Sequence, residues 1–272
     1  VRIGTGLAIP GRARGPSGFT EADASAIIAE LGGFWLRMRD PYLTMGTPPA
    51  IASVACKDGF ATYGSFAQAS TLKRPTLSTV DGGKPSAAFD GSGGATSGKW
   101  FVNNKTAATW KWLHAAEGCT LFVVARRTGG TGTQRILDTG SAGSVSQHGI
   151  SLSYNATTNS TEARVTNGGG TGNGVFSATV AGVVASTLYL HELTHSLAAG
   201  YSYRLSGGTP TVGEAAQAYS TSNPFSSLGL GANAAGSVQW LTGDICEVYG
   251  VPGVLTAARL ASLRGMFAAE YP

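Results

Sequence analysis

The chain has 272 residues, of which 40 are glycine, 11 are proline, 42% are hydrophobic and only 12% are charged. That length suits one all-β domain better than a helical bundle, and low charge with dispersed aromatic residues excludes global disorder. The formal net charge of +4, from 19 Lys+Arg against 15 Asp+Glu, includes no run of five basic residues, so no nucleic-acid footprint is indicated.

Residues 1–19 are rich in Gly, Pro and Arg and read as an irregular arm. Arg2, Arg12 and Arg14 offer the chain's nearest approach to a basic patch, although a solvated arm is the simpler reading. Thr20 then opens a short helix, TEADASAIIAELGG, with acids in its first turn and Gly32-Gly33 as its stop. The arm and helix (1–33) therefore precede a main domain (34–272). From Phe34 the helical period disappears and short apolar runs alternate with Gly-rich turns. The clearest are Cys119–Arg126, Ile150–Tyr154, Thr161–Val165, Leu188–Leu197, Tyr201–Leu205 and Ile245–Val251. Such spacing predicts an all-β sandwich. The stretches GTGTQ, GSAGSVS, NATTNST and NGGGTGNG read as hairpin loops. Thr256 caps a second helix, whose Leu260, Leu263 and Phe267 form one apolar stripe for docking.

Three cysteines, Cys56, Cys119 and Cys246, make neither a disulfide framework nor a zinc pattern, and they fit a reducing compartment. No leader pattern is visible, and the apolar runs fall short of a membrane span.

Three stretches, taken in order, resemble the concanavalin A-like lectin/glucanase superfamily, the laminin-G-like jelly rolls. They are RPTLSTVDGGKPSAAFDGSGG, with Arg74-Pro75-Thr76, Pro85 and Phe89-Asp90-Gly91; the strand Cys119–Arg126; and Leu228-Gly229-Leu230-Gly231 with Gly243-Asp244-Ile245-Cys246-Glu247-Val248-Tyr249 before the last helix. FWLRMRD and VACKDG resemble the opening strands. The resemblance implies an antiparallel jelly-roll β-sandwich with short helices at both ends, of the kind found in tailed-phage virion proteins.

Several motifs promise chemistry. His191-Glu192-Leu193-Thr194-His195 matches H-E-x-x-H, which on a helix gives two zinc ligands and a general base. Here Tyr189, His191, Leu193, His195 and Leu197 alternate as on a strand, which would set the imidazoles about 13 Å apart, too far for one ion. Gly93–Trp100 has phosphate-loop spacing but ends in Trp where a hydroxyl should reach magnesium. Glu162, Glu192, Glu214 and Glu247 are isolated, without the paired carboxylates of a glycosidase. Trp100, Trp110, Trp112, Tyr154, Tyr201 and Tyr203 are candidate aromatic faces for sugar or protein. Trp110-Lys111-Trp112 is the foremost, since strand alternation would put both indoles on one side. The resemblance brings calcium into view, with Asp90 and Asp244 as its candidate ligands.

The leading expectation is a non-catalytic virion component: a capsid decoration, a head spike or a tail-associated adhesin. It would join other virion proteins through the arm, as a homo-oligomer, and offer the sandwich to a host surface polysaccharide. The alternative is a bacterial carbohydrate-binding lectin module or glycosidase-like domain, secreted or on the cell surface. A zinc metallopeptidase built on His191, Glu192 and His195 is a third reading, with little but the motif behind it.

Overall fold

The computed structural model describes residues 18–140, 147–168, 174–233, 236 and 238–272. Residues 1–17 of the arm, with Arg2, Arg12 and Arg14, lie outside the described residues, as do the tips of two of the Gly-rich loops. Helix α1 (Glu21–Leu31) starts at the expected place and for the expected reason. The Thr20 hydroxyl accepts from the Asp23 amide, and the Asp23 carboxylate accepts from the Thr20 amide at 2.7 Å, a reciprocal capping box. Gly32 ends the helix in the left-handed region (φ 78°), which costs a glycine nothing.

Seventeen strands follow among the described residues. They are β1 (Phe34–Arg37), β2 (Leu43–Met45), β3 (Ile51–Asp58), β4 (Ser65–Ala67), β5 (Thr76–Val80), β6 (Lys84–Phe89), β7 (Phe101–Asn103), β8 (Cys119–Arg127) and β9 (Thr133–Asp138). Then come β10 (His148–Asn155), β11 (Ser160–Asn167), β12 (Gly174–Ala181), β13 (Tyr189–Ser196), β14 (Gly200–Leu205), β15 (Thr211–Gly213), β16 (Gly229–Leu230) and β17 (Gly243–Pro252). One-turn helices α2 (Phe60–Tyr63) and α3 (Gly94–Ser97) sit in loops, and α4 (Ala257–Glu270) closes the chain behind its Thr256 cap. Among the described residues no helix is long and apolar enough to cross a membrane.

All pairings are antiparallel and they form two packed sheets. The first runs β5-β6-β17-β8-β13-β14-β15, with β1 taking over from β6 along the second half of β17. The second runs β2-β3-β4-β7-β16-β9-β10-β11-β12. Strand β3 also pairs with β1 and so ties the sheets together. This is an all-β jelly-roll-like sandwich, as the strand spacing and the resemblance led us to expect.

The first sheet is buried on both faces at its centre, which explains the continuous apolar run CTLFVVA in β8. Cys119, Leu121, Val123 and Ala125 face the second sheet, while Phe122 and Val124 face a third layer made of α1 and α4. Into that layer the helices send Ala24, Ile27, Ile28, Leu263, Met266 and Phe267, against Trp35, Tyr249 and Val251 of the sheet. The side chain of Phe267 alone contributes about 1.5–3 kcal/mol by its burial. The contact is close: a Cβ on Gly33, just past the helix stop, would come within 2.2 Å of the Gly250 carbonyl.

Strand β17 carries a bulge between Ile245 and Glu247, so Cys246 and Glu247 both turn toward the helices. Glu247 is thereby buried beneath α4, where it accepts from Trp35 Nε1 (2.7 Å), Arg37 Nε (2.9 Å) and the Tyr271 hydroxyl (2.8 Å). Arg37, itself 1% exposed, also meets Glu21 of α1 (2.7 Å) and Glu270 of α4 (2.8 Å). Burial pushes the Glu247 carboxyl up, and Arg37 pulls against it. For Arg37 burial works against the charge, but Glu247, Glu270 and Glu21 together hold the guanidinium above its ordinary value.

Replacing Arg37 with Met leaves Glu247 buried without its cation and should cost about 3–5 kcal/mol in urea unfolding. The gap between variant and parent should narrow at pH 5 relative to pH 8, because Glu247, pushed up to about 7 by burial, is then protonated and no longer needs the cation. Equal stability at pH 8 would show that Arg37 does not bind the layers.

Candidate functional site

The sequence-predicted residues scatter when placed in the fold. Trp110 and Trp112 lie on a 3-10 helix, Ala107–His114, and not on a strand, so the alternation expected for them does not apply. Trp110 is fully buried among Phe34, Tyr63 and Phe66, and half-buried Trp112 packs beside it. The local Thr-Trp-Lys-Trp pattern fits either element, and tertiary packing decided between them. Tyr203 has no exposed surface: its hydroxyl bonds Thr161 (2.8 Å) and His191 Nδ1 (2.8 Å) inside the sandwich. Tyr201 is half-buried and stacks on Phe176 with ring centroids 4.6 Å apart. Trp100 is half-buried against Gly236, where its indole takes the space of a side chain. These five residues do not form one surface.

The H-E-x-x-H segment is strand β13, in the alternation read from its sequence. His191 and His195 point into the sandwich but serve different partners. His191 lies between the Tyr154 hydroxyl (Nε2, 2.9 Å) and the Tyr203 hydroxyl, whereas His195 Nε2 lies 2.9 Å from the Leu113 carbonyl and the ring stacks on Tyr219. Glu192 faces the opposite way, onto the Arg264 guanidinium of α4 at 2.6 and 2.8 Å. The zinc reading of His191, Glu192 and His195 is overturned by this geometry, since the three side chains diverge. Asp244, one of the two calcium candidates, is buried and taken by Ser86 (2.9 Å) and Arg126 (2.8 Å), while exposed Asp90 caps its own turn at the Ser92 amide. The Gly93–Trp100 segment is the one-turn α3 followed by β7, without the helix a phosphate loop needs.

Burial sets the ionisation of three histidines. It pulls His191 down to about 3, His195 to about 4 and His114 to about 4, the last two against carbonyl bonds to Leu113 and Ser222 that favour the charged form.

The outer side of the second sheet carries a polar groove. Along β9, β10, β11 and β12 the inward positions are apolar (Ile150, Leu152, Tyr154, Ala163, Val165, Ala178) and the outward ones are polar. The pairing register lines up Arg135, Ser153, Glu162 and Thr179 in one row straight across the four strands. Thr133, Asn155 and Ser160 form the next row, and Asp138, Ser151, Arg164 and Ser177 the row on the other side. The loop residue Gln239 and the hairpin residue Thr158 wall the groove, which encloses about 430 Å³. Thr133 and Gln239 also line an adjoining hollow that leads to half-buried Trp240 and the Gly91 and Gly130–Gly132 loops.

Charges in the groove are organised by hydrogen bonds. Arg164 donates to Glu162 at 2.8 Å, and the Ser177 hydroxyl donates to the same carboxylate oxygen. Arg135 is 3% exposed and is clamped by Gln239, whose backbone and side-chain oxygens accept from its amide and Nε, each at 2.8 Å. Gln239 does this in the left-handed region (φ 59°), an uncommon conformation for a side-chain-bearing residue. Burial pulls the Arg135 guanidinium below its ordinary value, although Asp138 and Glu162 favour its charge. Arginine stays protonated even so.

Of these groove residues the sequence reading singled out only Glu162, as an isolated acid. The polar alternation Ser151-x-Ser153-x-Asn155 and Glu162-x-Arg164 is a legible sign of a strand face turned away from the apolar core. Nothing local marks Arg135, Gln239 or Trp240, which converge from distant segments.

No family model and no curated protein matches the sequence. Solved structures match in fold. Botulinum neurotoxin type C, which depends on interaction with two ganglioside molecules to enter cells, aligns over 90% of this chain and 53% of its own, with TM-score 0.57 and 9% identity. The binding domain of botulinum neurotoxin DC, in complex with SialylT, aligns over 88% of this chain and 51% of its own (TM-score 0.56, 9% identity). Trypanosoma rangeli sialidase in complex with sialic acid aligns over 86% and 33% (TM-score 0.50, 13% identity). This chain thus spans about half the length of the toxin chains and a third of the sialidase. At such identities the likeness is one of fold: a lectin-like β-sandwich, found in binding domains and in an enzyme alike.

The buried histidines generate a pH prediction. Their folded values lie below the ordinary 6.5, so the stability they contribute is complete above pH 6.5 and is lost as pH falls toward 4 and 3. Each adds a slope approaching about 1.4 kcal/mol per pH unit in that window. Urea unfolding from pH 7.5 to 4 should show it, and His195→Gln should flatten the curve by one such increment; an unchanged slope would mean that His195 titrates freely.

Proposed function

We propose that this chain is a non-catalytic, lectin-like module that binds glycan in the groove across β9–β12. The observation that carries this reading is an asymmetry between the faces. The outer side of the first sheet is covered at its centre by α1 and α4, whereas that of the second carries a polar groove of hydroxyl, amide and guanidinium groups, Arg135 and Ser153 buried within it, that leads to an indole. Sugars are recognised by such a mixture: hydrogen bonds fix the hydroxyls and an aromatic face covers the apolar side of the ring. The botulinum neighbours, with their ganglioside and SialylT partners, support the same reading through the shared fold.

Binding without catalysis is the form the groove favours. Among the described residues its lining carries one carboxylate, Glu162, already committed to Arg164 and Ser177. Glycoside hydrolysis ordinarily takes a pair of carboxyl groups across the scissile bond. A virion setting, with assembly through residues 1–19, is a separate proposal that rests on the sequence resemblance. Deleting those residues should abolish particle association and leave glycan binding intact; retained association would sink it.

A glycan array probed with the purified chain should show selective binding, unchanged by chelator because Asp244 is already engaged by Arg126. Trp240→Ala should weaken that binding roughly tenfold in calorimetry while leaving the unfolding midpoint within a few degrees. Silence across the array, or full affinity in the Trp240 variant, would count against the groove as a sugar site.

A further inference from the structure

We propose, building on the reading of the groove as a glycan site, that its ligand is an acidic sugar whose carboxylate is received by Arg135. Arg135 stands at the end of the central row, beside Ser153, with Thr133 before it and the Trp240 hollow adjoining. Its guanidinium bonds only Gln239 among the described residues, through Nε, and Nη1 is buried with no partner. A buried donor left unmade costs free energy that the fold keeps only with a reason, and a guanidinium fork matches a carboxylate in shape and charge.

Two carboxylates act on Arg135: Glu162, the one in the lining, is held by Arg164 and Ser177, and Asp138, further along β9, keeps the guanidinium charged while competing with an incoming anion. The lining therefore has two arginines against one glutamate, an excess of one positive charge. Gln239 Oε1 holds the guanidinium at Nε while its backbone carbonyl holds the Arg135 amide, so the side chain is pre-oriented, with less entropy left to lose on binding. A purely structural arginine, needed to hold the Gln239 loop, would use Nε alone and would leave the groove indifferent to ligand charge.

The test uses calorimetry on the full chain with sialyllactose and a glucuronate-containing oligosaccharide, each beside its carboxyl-reduced neutral counterpart, and with a sulfated oligosaccharide. At least one acid should bind roughly tenfold tighter than its reduced form, with an affinity that falls as salt rises. Arg135→Gln should erase that difference. Because Arg135 is buried, Glu162→Gln provides an independent arm: removing the competing carboxylate should raise the ratio of acid to neutral-sugar affinity. Equal binding of acid and reduced sugar overturns this inference and leaves the glycan-binding reading standing. Preference for sulfate over carboxylate overturns the choice of carboxylate. No binding by any of these sugars, or by the wider array, sinks the reading on which the inference rests.

Discussion

The guanidinium of Arg37 lies between three carboxylates that the chain brings from far apart: Glu21 in the first helix, Glu247 in the last strand and Glu270 in the last helix. Each ion taken from water costs several kcal/mol, so such a cluster survives only where every oxygen and nitrogen finds a partner. Here Trp35, Tyr271 and Arg39 complete the set. The cluster fixes where both terminal helices lie, and the aromatic contacts of Trp35, Phe122, Tyr249 and Phe267 fill the layer around it. Apolar burial supplies the driving force for docking the helices. The ion cluster supplies their register, because a shifted helix would leave a buried carboxylate unpaired.

That arrangement has a consequence on the far side of the molecule. The first sheet is covered on both faces at its centre, and the outer surface of the second sheet carries the polar groove proposed for recognition. Its strands alternate apolar-in and polar-out, so the strands that build the core leave rows of hydroxyl, amide and charged groups on the opposite face, some of them buried, as Arg135 and Ser153 are. The strand pairing sets those rows, and the Gln239–Trp240 loop closes one end. The proposed recognition groove and the helix-docking layer thus lie on opposite sides of the sandwich.

Much of the architecture was readable beforehand. The capped helix at Thr20, the run Cys119–Arg126, the alternation through Leu188–Leu197 and the closing strand before Thr256 all appear where periodicity put them, because each is decided by local sterics and by which residues avoid water. The same reasoning separated the H-E-x-x-H segment from a zinc site. Strands β9 and β12 were missed, since Thr133–Asp138 and Gly174–Ala181 open in Gly- and Thr-rich stretches that look like turns. Trp110 and Trp112 were placed on a strand because a short aromatic pattern suits either period, and the 3-10 helix is selected by contacts with Phe34, Tyr63 and Phe66 that sequence distance hides.

The sequence by itself determined the all-β class and the helices at both ends, for these follow from composition, alternation and capping, which are local properties. Only the tertiary structure decided which face carries the groove and which residues share it. Arg135, Glu162, Gln239 and Trp240 are joined by strand register and loop return, and register is set by the summed burial of whole strands. No short window of sequence contains that information.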